Sequence, residues 1–565
     1  MNSNETDRPR RILIIGGVAA GATAAAKARR QDEHAEITLI ERGKYVSFAN
    51  CGLPYRISGD ITKRSTLLLQ TAEGFFSRYR VRVMLNTTAT AIDRTQKSVL
   101  VHGPKGEESV PYDSLILAMG GSPVVPPVER ISSPNVFHLW TIPDMDAIHK
   151  FIDEERPDSA LVIGGGFIGL EAAEAFIKRG LKTTIVELTD HLMPPADADF
   201  GRLVANAFEE AGGKVVTGKA VRAINPGSAT ALLDDGSTVG AGIVLVAAGV
   251  RPNLDLAKSA GLETGKAGGL VVDEYLATSD PSIWAAGDMI EVVRRVDGAH
   301  VRIPLAGPAN RQGRIVAVNA LGGRMKYVGA LGTSIFKAME STFAMVGLSE
   351  KAAQASGYNT GAATVHRGSH ASYFPGAEEV ALKLVYDQDT HRLLGAQAFG
   401  KEGVDKRIDV LAAALAGNLT LEDIAELDLA YAPPYSSAND PLNMAAFVAL
   451  NDLSGYSPLV SPQEALRLID NGSVAVLDVR TSGDHAKESI PGSINIPLDE
   501  LRMRLEELPV DTPLVVVSKA GFEGHLAVRQ LLQNGFEDVR SVSGGMTSIK
   551  LVAAPEQKAI ARREE

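Results

Sequence analysis

Two stretches of the chain repeat one order of elements: an apolar run, a glycine-rich turn, a helix of small residues, a second apolar run and an acid. The complete copy begins with the apolar run 160–163 and continues with GGGFIG at 164–169, a full G-x-G-x-x-G. We predict a helix over 170–179 and a strand over 183–186 that ends at Glu187. In this order the glycine turn and the helix N-terminus hold a pyrophosphate, and the acid binds ribose hydroxyls. The stretch therefore predicts a dinucleotide site on a parallel α/β sheet.

The acid at the end of this unit discriminates between two dinucleotides. A carboxylate at Glu187 accepts a hydrogen bond from a ribose 2′-hydroxyl and repels a 2′-phosphate. No arginine follows directly, since the next residues are Leu188, Thr189 and Asp190. We therefore expect NADH as the electron donor, with NADPH less favoured.

The other copy lies at the start of the chain. It consists of a strand over 11–15, the segment GGVAAG at 16–21, a helix over 22–30 and a strand over 37–40 that ends at Glu41. The middle glycine of the motif is replaced by valine, so we expect the backbone to approach a pyrophosphate less freely there. The spacing to the acid still predicts a second dinucleotide site.

A segment far along the chain supports this first site. Residues 278–288 predict a turn and a short strand that ends at Asp288, next to a glycine. The carboxylate could bind ribityl or phosphate-side hydroxyls, although an ordinary strand-ending turn has the same pattern. Coupled to the N-terminal glycine loop, the segment favours flavin binding.

Cys51 is the only cysteine among 565 residues, so it cannot form an internal disulfide. A buried, inert thiol is the usual fate of a free cysteine, but the neighbours Asn50 and Gly52 are not aliphatic. A thiol beside a bound cofactor and at a helix start has a lowered pKa and acts as a nucleophile. We therefore expect hydride from a nicotinamide to pass through a flavin to a reactive sulfur at Cys51.

The bulk composition excludes several functions. The net charge of -11 argues against a nucleic-acid surface. No apolar run approaches about 18 residues and no signal peptide is apparent, so we expect no membrane span. A single cysteine fits a reducing cytoplasm. We expect a cytoplasmic protein without nucleic-acid or membrane partners.

These motifs resemble those of the flavin-dependent pyridine nucleotide-disulfide oxidoreductases. The segment Ser-Phe-x-x-Cys that ends at Cys51 is similar to their single-cysteine branch, above all to coenzyme A-disulfide reductases fused to a rhodanese domain, also described as NADH-dependent persulfide reductases. The resemblance runs from about residue 10 to residue 545. The paired cysteines of glutathione and lipoamide reductases are absent, because position 56 is Arg56. A histidine that peroxidase and oxidase relatives carry in the first glycine loop is Ala19 here, which counts against peroxide as the main substrate.

The resemblance implies an FAD enzyme that reduces coenzyme A disulfide, coenzyme A persulfide or polysulfide with NADH, while Cys51 cycles between a thiolate and a mixed disulfide or persulfide. It also implies that Tyr373 and Tyr431 reach the partner's cysteine, protonate the leaving thiol and stabilise its anion. Each site would then need both chains of an obligate homodimer. Without the family, tyrosines in such turn-rich segments are often amphipathic surface packing.

The resemblance further implies which residues hold the small molecules, and we expect no metal site. The residues expected to bind FAD and NADH are Gly16, Gly17, Ala20, Gly21, Glu41, Arg42, Gly120, Gly164, Gly166, Phe167, Ile168, Gly169, Glu187, Gly249, Gly287, Asp288, Pro304 and Ala306. Those expected to bind coenzyme A, as substrate or bound ligand, are Thr23, Lys27, Arg30, Ser47, Asn50, Asn310, Arg314 and Tyr435.

The residues themselves agree with this assignment in part. Lys27, Arg29 and Arg30 form a basic cluster suited to an anionic ligand. A solvated helix end stabilised by the helix dipole has the same pattern. Asn439 stands where some coenzyme A-disulfide reductases have a lysine, which weakens one expected substrate contact.

The C-terminal segment resembles a rhodanese module. We predict a strand over 474–480, an amphipathic helix over 498–508 and a strand over 514–517, which opens onto the loop SKAGFEG at 518–524 and a further helix. In active rhodaneses this loop begins with a cysteine that carries a persulfide in a cradle of backbone N–H groups.

The first residue of this loop is Ser518, and the cradle also contains Gly521 and Gly524. A hydroxyl cannot hold a sulfane sulfur, and Glu523, in place of the usual arginine, repels an anionic sulfur species. We therefore expect no sulfurtransferase activity from this domain. Glu523 favours a natural loss over an engineered substitution at Ser518.

The fold class that follows is α/β, with two dinucleotide-binding, Rossmann-like domains, an α+β dimerisation domain and a C-terminal rhodanese-like α/β domain. The expected domains are an FAD-binding domain in two parts, an NAD-binding domain, a dimerisation domain, a linker and a rhodanese-like domain: 8–149 with 251–325, 150–250, 326–450, 451–461 and 462–560. Two rival functions stay open. One is an oxygen-reducing NADH oxidase with Cys51 as a sulfenic acid, and the other is a redox-sensing or sulfur-binding protein with incidental turnover.

Overall fold

The computed structural model describes residues 8–553. Its strands, in chain order, are β1 Arg11–Ile15, β2 Glu36–Ile40, β3 Val81–Met84, β4 Thr88–Asp93, β5 Ser98–Gly103, β6 Gly106–Pro111, β7 Ser114–Leu117, β8 Gly121–Pro123, β9 Val136–Phe137, β10 Ser159–Ile163, β11 Lys182–Val186, β12 Lys214–Val216, β13 Val221–Asn225, β14 Thr230–Leu233, β15 Thr238–Gly240, β16 Ile243–Val246, β17 Val250–Pro252, β18 Ile283–Ala285, β19 Val292–Val293, β20 His300–Val301, β21 Ser334–Ala338, β22 Ser341–Gly347, β23 Thr360–Gly368, β24 Glu379–Asp387, β25 Leu393–Gly400, β26 Leu459–Val460, β27 Ala475–Asp478, β28 Ile494–Asn495, β29 Leu514–Val517 and β30 Val539–Val542.

The α-helices are α1 Ala19–Gln31, α2 Leu53–Ser58, α3 Ala72–Tyr79, α4 Ile142–Glu155, α5 Phe167–Lys178, α6 Ala198–Glu210, α7 Asp255–Ser259, α8 Ala306–Ala320, α9 Glu350–Ala355, α10 Val404–Gly417, α11 Leu421–Ala425, α12 Pro441–Leu453, α13 Pro462–Asp470, α14 Ser482–Lys487, α15 Phe522–Leu532 and α16 Gly545–Val552. Short 3₁₀ turns lie at Asn50–Gly52, Arg64–Leu67, Pro226–Ser228, Leu501–Met503 and Leu505–Glu507. Within residues 8–553, no helix is both long and apolar enough to cross a lipid bilayer.

The chain divides into two compact units. One comprises Met1–Leu188 with Gly212–Gly332, and the other comprises Thr189–Ala211 with Thr333–Glu565. Each unit contains two principal sheets, and together these confirm the predicted α/β class.

The first sheet of the first unit is parallel, in the order β18-β7-β1-β2-β3. Its central strand β1 is buried almost throughout, as its continuous apolar sequence requires. Helix α1 begins at Ala19, earlier than the predicted residue 22, and packs closely on α8. A side chain at Gly313 of α8 would overlap the backbone of Ala20, so a glycine is required for this approach.

The second sheet of this unit is also parallel, in the order β12-β11-β10-β16-β9. Its helix α5 begins at Phe167 rather than at residue 170. In both copies the helix starts inside the glycine motif, at its fourth position, and the third position, Val18 or Gly166, is the helix N-cap. The two dinucleotide-binding folds predicted from the sequence are confirmed.

The second unit contains an antiparallel sheet in the order β21-β22-β25-β24-β23. Helix α6 packs against this sheet through a buried ion cluster. Lys383 Nζ on β24 lies 2.7 Å from Asp199 Oδ2 and 3.4 Å from Asp197 Oδ2. Burial alone would lower the pKa of Lys383, but these acids raise it to about 12. A buried cation with matched acids fixes how α6 sits on the sheet.

The last sheet of the second unit is parallel, in the order β26-β30-β29-β27-β28. The stretch 451–461 differs from the predicted linker, since it holds the last turn of α12 and strand β26, which pairs with β30. The predicted helix over 498–508 is wrong: two 3₁₀ turns stand there, separated by the non-helical Arg504. Leu501 in the first turn and Leu508 just after the second are still buried, so the apolar spacing predicted the buried face but not the helix type. The end of the predicted domain, 554–560, lies outside the described residues.

Candidate active site

Both glycine loops begin at a position that only glycine can occupy. Gly16 has φ of 103° and Gly164 has φ of 108°, in the left-handed region. A Cβ on Gly16 would overlap the carbonyl oxygen of Ala118, and one on Gly164 would overlap that of Ala247. These first glycines therefore make the tight turn that the sequence predicted.

The last glycine of each motif lets the helix rest on its own loop. A Cβ on Gly21 would overlap the oxygen of Gly16, and a Cβ on Gly169 would overlap that of Gly164. At the middle position the two loops differ. A Cβ on Gly166 would meet no atom of residues 8–553 within 4 Å beyond its own chain neighbours, whereas Val18 occupies the same place with an ordinary φ of -100°. The free space at the middle position is therefore larger in the second loop.

The two acids close their loops in the same way. Glu41 accepts hydrogen bonds from the N–H of Gly17 at 2.8 Å and of Gly43 at 2.7 Å. Glu187 is buried and accepts from the N–H of Gly165 at 2.6 Å. A glycine turn, a helix N-terminus and a carboxylate at the end of the next strand form the donor set that a dinucleotide requires. The residues present thus fit FAD at the first loop and a nicotinamide dinucleotide at the second.

The cysteine segment is fixed directly to the first glycine loop. Ser47 adopts a left-handed conformation, with φ of 51°, and its N–H donates to the oxygen of Gly17 at 2.7 Å. Its own carbonyl accepts from the N–H of Leu69 at 3.0 Å, and the N–H of Ala49 donates to Leu67 at 2.8 Å. A left-handed serine is a sparsely populated conformation that its surroundings must hold in place. The backbone just before the cysteine is therefore held by the first loop on one side and by a neighbouring segment on the other.

Cys51 lies in the 3₁₀ turn that leads into α2 and is exposed. Its N–H donates to Asn50 Oδ1 at 3.1 Å, and its Sγ lies 3.8 Å from the same oxygen. Protein atoms around the thiol partly desolvate it, which raises its pKa, and the negative charges of Glu171 and Asp288 raise it further. Without the cofactor, burial and these acids therefore outweigh the backbone hydrogen bond of Cys51, which lowers its pKa, and a lowered pKa beside a bound cofactor stays a prediction.

Glu171 and Tyr55 are two residues that the sequence analysis missed. The Tyr55 hydroxyl donates to Glu171 Oε1 at 3.2 Å. Burial raises the pKa of Glu171 to about 7, and the neighbouring Glu174 adds to this although the Tyr55 hydrogen bond opposes it. Burial also raises the pKa of Tyr55. An acid two residues after the last glycine of the second motif, on the buried side of α5, was the available signal.

The residues expected to bind coenzyme A lie mainly on α1, α8 and the cysteine segment. The structure brings Thr23 and Asn310 together, since the Thr23 hydroxyl donates to Asn310 Oδ1 at 2.6 Å. Lys27 Nζ donates to Gln31 at 3.0 Å, while Arg30 and Arg314 are exposed. Ser47 and Asn50 precede Cys51 on its own segment.

Arg29 does not belong to this basic cluster. Its side chain is buried, with 7% exposed, and it donates to the backbone oxygens of Tyr79 and Ala35 at 2.8 Å. The guanidinium therefore ties α1 to the loops beneath it. The predicted cluster is wrong on this point, because helical position rather than charge decided which way the side chain points.

The remaining cofactor candidates lie in the first unit. Gly120, Gly249 and Gly287 all have positive φ, of 59°, 108° and 84°. The N–H of Gly287 donates to Gln312 Oε1 at 2.7 Å, and burial raises the pKa of the adjacent Asp288. Arg42 is exposed, Ala20 is buried, Ala306 begins α8 and Pro304 lies just before it.

In the second unit, Tyr373 and Tyr431 meet although 58 residues separate them. Their hydroxyl oxygens lie 2.8 Å apart, and this hydrogen bond raises the pKa of Tyr373. The two side chains are 73% and 48% exposed. Tyr435 is exposed as well but has no part in the pair.

A buried ion pair fixes the positions of the two segments that carry these tyrosines. The Arg407 guanidinium donates to Asp440 at 2.9 and 3.0 Å and to the oxygen of Ser369 at 2.8 Å. Asp440 also accepts from the Ser436 hydroxyl at 2.7 Å, and the N–H of Ala371 donates to the oxygen of Ser436 at 3.2 Å. Burial would raise the pKa of Asp440, but Arg407 keeps it below its ordinary value. The exposed tyrosine pair thus stands on a rigid base.

The rhodanese-like loop has a different arrangement around its first residue. Ser518 is 1% exposed, and its hydroxyl oxygen accepts from the N–H of Gly521 at 3.0 Å. Gly521 has φ of 103°, and a Cβ on Gly524 would lie 3.1 Å from Ser518 Oγ. Glu523 lies in the first turn of α15. The loop keeps its turn geometry while the serine hydroxyl braces it from inside.

Three protein-family models match the chain. They are the pyridine nucleotide-disulphide oxidoreductase model over residues 10–313, the dimerisation domain of the same family over 333–441, and the rhodanese-like domain over 461–551. Together they account for both parallel sheets of the first unit and, apart from β26, both principal sheets of the second.

Characterised relatives agree with these models. The chain is 33% identical over 441 residues to an "NAD(P)H sulfur oxidoreductase (CoA-dependent)" of Pyrococcus abyssi, which covers 77% of this chain and 97% of that protein. It is 34% identical over 442 residues to a coenzyme A disulfide reductase of Staphylococcus aureus, which covers 78% of this chain and 99% of that protein.

Solved structures extend the likeness to the C-terminal domain. The reduced CoADR-RHD of Bacillus anthracis is 41% identical, with a TM-score of 0.94 over 98% of this chain and 100% of that one. A NAD-dependent persulfide reductase of A. fulgidus is 37% identical, with a TM-score of 0.90 over 95% and 99%. The chain belongs to the pyridine nucleotide-disulphide oxidoreductase family, as an FAD- and NAD(P)H-dependent enzyme with a dimerisation domain and a C-terminal rhodanese-like domain.

Proposed function

We propose that this enzyme uses NADH and bound FAD to reduce a coenzyme A disulfide, coenzyme A persulfide or polysulfide through Cys51. The observation that carries the proposal is the placement of the only thiol in the chain. Cys51 is exposed and follows a segment that hydrogen-bonds to the first glycine loop through Ser47 and Gly17. The names of the relatives support the same substrate class.

The step at sulfur is a thiol–disulfide exchange. The Cys51 thiolate attacks one sulfur of the substrate disulfide, a new sulfur–sulfur bond forms, and the old one breaks. One coenzyme A thiolate leaves with the bonding electron pair and takes up a proton. With a persulfide, attack at the outer sulfur leaves Cys51 as the persulfide. When bound, FAD and NADH would supply the two electrons that restore the Cys51 thiolate, which releases the second coenzyme A as its thiol or, from the persulfide, the outer sulfur as sulfide.

The proton for the leaving thiolate comes, in this proposal, from the tyrosine pair of the partner subunit. Tyr373 and Tyr431 are exposed and share one hydrogen bond, so one hydroxyl proton stays available to a sulfur anion. A homodimer with both chains at each site follows, in agreement with the dimerisation-domain match.

Glu187 supports NADH as the donor in preference to NADPH. Its carboxylate is buried and held by the N–H of Gly165, so it cannot swing away from a 2′-phosphate at low cost. The test is the ratio of kcat/KM for the two donors. We expect NADH to be preferred, and Glu187→Ser to reduce that preference; a wild-type enzyme that favours NADPH would contradict the assignment.

Coenzyme A is proposed to lie along α1 and α8, where Thr23 and Asn310 meet and Lys27, Arg30 and Arg314 can reach phosphates. Lys27→Ala and Arg314→Ala should raise KM for coenzyme A disulfide more than they lower kcat. Glu155→Ala, on the exposed end of α4, is the control. Equal effects of all three variants would contradict the site.

The deciding experiment compares electron acceptors without oxygen and with oxygen. NADH consumption is measured anaerobically with coenzyme A disulfide, coenzyme A persulfide and polysulfide, and then in air alone. The proposal predicts that at least one sulfur acceptor outpaces oxygen. Faster consumption with oxygen would favour the oxidase that a 32% identical Methanocaldococcus jannaschii relative is named for. Negligible turnover with every acceptor would favour a sensor.

A further inference from the structure

The second half of the proposed reaction needs a proton. After the first coenzyme A has left, Cys51 carries a mixed disulfide or a persulfide, and reduction of that bond creates a further sulfur anion. In the proposed function the exposed tyrosine pair serves the first leaving group. A cluster of titratable side chains beside Cys51 takes no part in the steps described so far.

Tyr55 stands four residues after Cys51 on one helical stretch. A 3₁₀ turn over Asn50–Gly52 continues directly into α2, which begins at Leu53. Side chains four residues apart lie on the same face of a helix, with about 5–6 Å between their Cβ atoms. Tyr55 therefore lies on the face of this stretch that carries Cys51.

The hydroxyl of Tyr55 connects this face to Glu171 on α5. It donates to Glu171 Oε1 at 3.2 Å, and both side chains are partly buried. Burial and the charge of Glu171 raise the pKa of Tyr55, so its hydroxyl keeps its proton at neutral pH. A hydroxyl donates one hydrogen bond and accepts others, so it can receive a proton on one side while it gives one on the other. Tyr55 is therefore suited to pass a proton on without carrying a charge.

Glu171 exchanges its proton near neutral pH. Burial raises its pKa to about 7, although the Tyr55 hydrogen bond opposes this rise and the charge of Glu174 adds to it. Glu174 is paired with Lys178 at 3.0 Å, and Lys178 also pairs with Asp60 at 2.9 Å. Among the described residues, no cation pairs with Glu171 itself. An acid whose pKa lies near the working pH is suited to general acid catalysis.

The remaining charges around the cluster favour a proton on Glu171 when sulfur is reduced. The negative charges of Glu171 and Asp288 raise the pKa of Cys51. Arg179, which ties the end of α5 to the backbone of α2, is already paired with Asp153 on α4. Because coupling between two groups is reciprocal, a new anion at Cys51 raises the proton affinity of Glu171 in turn.

We propose that Glu171 supplies, through Tyr55, the proton for the sulfur that leaves Cys51 in the second half of the reaction. This inference rests on the proposed function and extends it. The sulfur–sulfur bond at Cys51 takes up the two electrons of NADH, which reach it by way of FAD, and breaks. A thiolate remains on Cys51, and the second anion forms on the departing sulfur.

The Tyr55 hydroxyl gives its proton to this departing sulfur and takes the proton of Glu171 at the same time. Coenzyme A thus leaves as its thiol, or the outer sulfur of a persulfide leaves as hydrogen sulfide. Glu171 is left as a carboxylate and regains a proton from water. Tyr55 touches the reacting sulfur, whereas Glu171 acts through Tyr55.

The test separates the two halves of the reaction in the FAD-loaded enzyme. In the first half, reduced enzyme is mixed with coenzyme A disulfide without NADH, and the release of one coenzyme A is measured. In the second half, the isolated adduct is mixed with NADH. The release of the second coenzyme A is then followed together with the flavin absorbance, on both sides of pH 7.

Glu171→Gln and Tyr55→Phe should each slow the release of the second coenzyme A by at least about tenfold and should not slow the first half. In the wild type this release should slow as pH rises through about 7, because Glu171 loses its proton there, and the slope should be absent in Glu171→Gln. Tyr373→Phe should show the reverse pattern, with a slower first half and an unchanged second half.

Glu155→Gln, on the exposed end of α4, and the surface variant Tyr456→Phe are the matched controls and should change neither half. Retained FAD and unchanged NADH-dependent reduction of ferricyanide show that the variants fold and that electrons still reach the flavin. Glu171→Asp, which keeps the acid, should restore part of the rate and the pH slope.

Two results would overturn the inference while the proposed function stands. They are equal slowing of ferricyanide reduction and coenzyme A release in Glu171→Gln, and a wild-type pH slope retained in that variant. A wild-type first half that releases no coenzyme A would contradict the proposed function itself, and the inference would fall with it.

Discussion

The cysteine segment and the rhodanese-like loop share one feature and differ in what each presents to solvent. Each leads into the N-terminus of a helix, α2 in the first unit and α15 in the second. Cys51 is exposed and has its sulfur 3.8 Å from the nearest hydrogen-bonding oxygen, whereas Ser518 is 1% exposed and accepts from its own loop at 3.0 Å. The first loop presents a reactive atom, and the second uses the equivalent position as an internal brace.

Acidic residues lie near both Cys51 and the loop of Ser518. Glu171 and Asp288 raise the pKa of Cys51, and Glu523 lies in the first turn of α15, directly after the other loop. Acids near a sulfur site disfavour its anion in both places. In the first unit a bound cofactor and a substrate can offset this effect, whereas the second unit has no cysteine whose thiolate would need such help.

Replacing the reactive cysteine should have the largest effect on turnover. Cys51→Ser should lower turnover of every disulfide and persulfide acceptor by at least about 1,000-fold, because a hydroxyl does not exchange with sulfur. FAD content and NADH-dependent ferricyanide reduction should stay at wild-type levels and are the controls. Sulfur-acceptor turnover that survives in the variant would show that Cys51 is not the reacting atom.

The second prediction concerns Ser518 in the rhodanese-like loop. The wild-type enzyme should not transfer sulfur from thiosulfate to cyanide, and Ser518→Cys should gain this activity. Adding Glu523→Arg should increase it further, by about tenfold, since a repulsive charge becomes an attractive one. Thiocyanate formation is the measurement. Equal thiocyanate formation by the wild type and by Ser518→Cys would show that the serine is not the reason for the missing sulfurtransferase activity.

A smaller effect concerns the group proposed to serve the sulfur of the partner subunit. Tyr373→Phe should lower kcat for coenzyme A disulfide by about 10- to 100-fold, within the range of general-acid catalysis, and flatten the alkaline side of its pH profile. Tyr456→Phe, a surface tyrosine stacked on Arg529, is the matched control. A Tyr373→Phe enzyme with an unaltered pH profile would leave the pair a structural role only.

The smallest effect concerns the charge of Glu171 near the Cys51 thiol. Glu171 has a pKa of about 7, so above that pH its charge raises the pKa of the Cys51 thiol. Glu171→Gln should therefore shift the pH dependence of Cys51 alkylation by iodoacetamide to lower pH, by about half a pH unit. The measurement uses reduced, desalted holoenzyme, with Glu155→Gln as control. A shift in the opposite direction would show that Glu171 does not act through its charge.

The same carboxyl group gives stability a pH dependence of known sign. Its pKa is raised on folding, from about 4.5 to about 7, so the folded chain binds more protons than the unfolded chain between these values. Stability of the first unit should therefore fall as pH rises through this window, and Glu171→Gln should remove that part of the fall.

The sequence predicted the elements whose local pattern and tertiary role agree. Buried strands such as β1 and β29 and the glycine turns at Gly16 and Gly164 follow from periodicity and from conformations that only glycine reaches. The stretch 498–508 was misassigned because its leucines face the core at a spacing that 3₁₀ turns also satisfy.

What the sequence did not predict depends on contacts between distant residues. Arg29 points inward because its side chain donates to the backbone oxygen of Tyr79, 50 positions along the chain. Tyr55 donates to Glu171, which lies 116 positions away. The raised pKa of Cys51 arises only when separate elements are packed together. The residue assignments for FAD, NADH and coenzyme A and the domain boundaries stay predictions.

The central claim is that Cys51 itself exchanges with the sulfur substrate, and mass spectrometry of its peptide tests this most directly. The enzyme is incubated with coenzyme A disulfide without NADH, digested under acidic conditions, and compared with a sample then treated with NADH. The account predicts a coenzyme A adduct on Cys51 that disappears after NADH is added. An unmodified Cys51 peptide in an enzyme that turns over the same disulfide would contradict it.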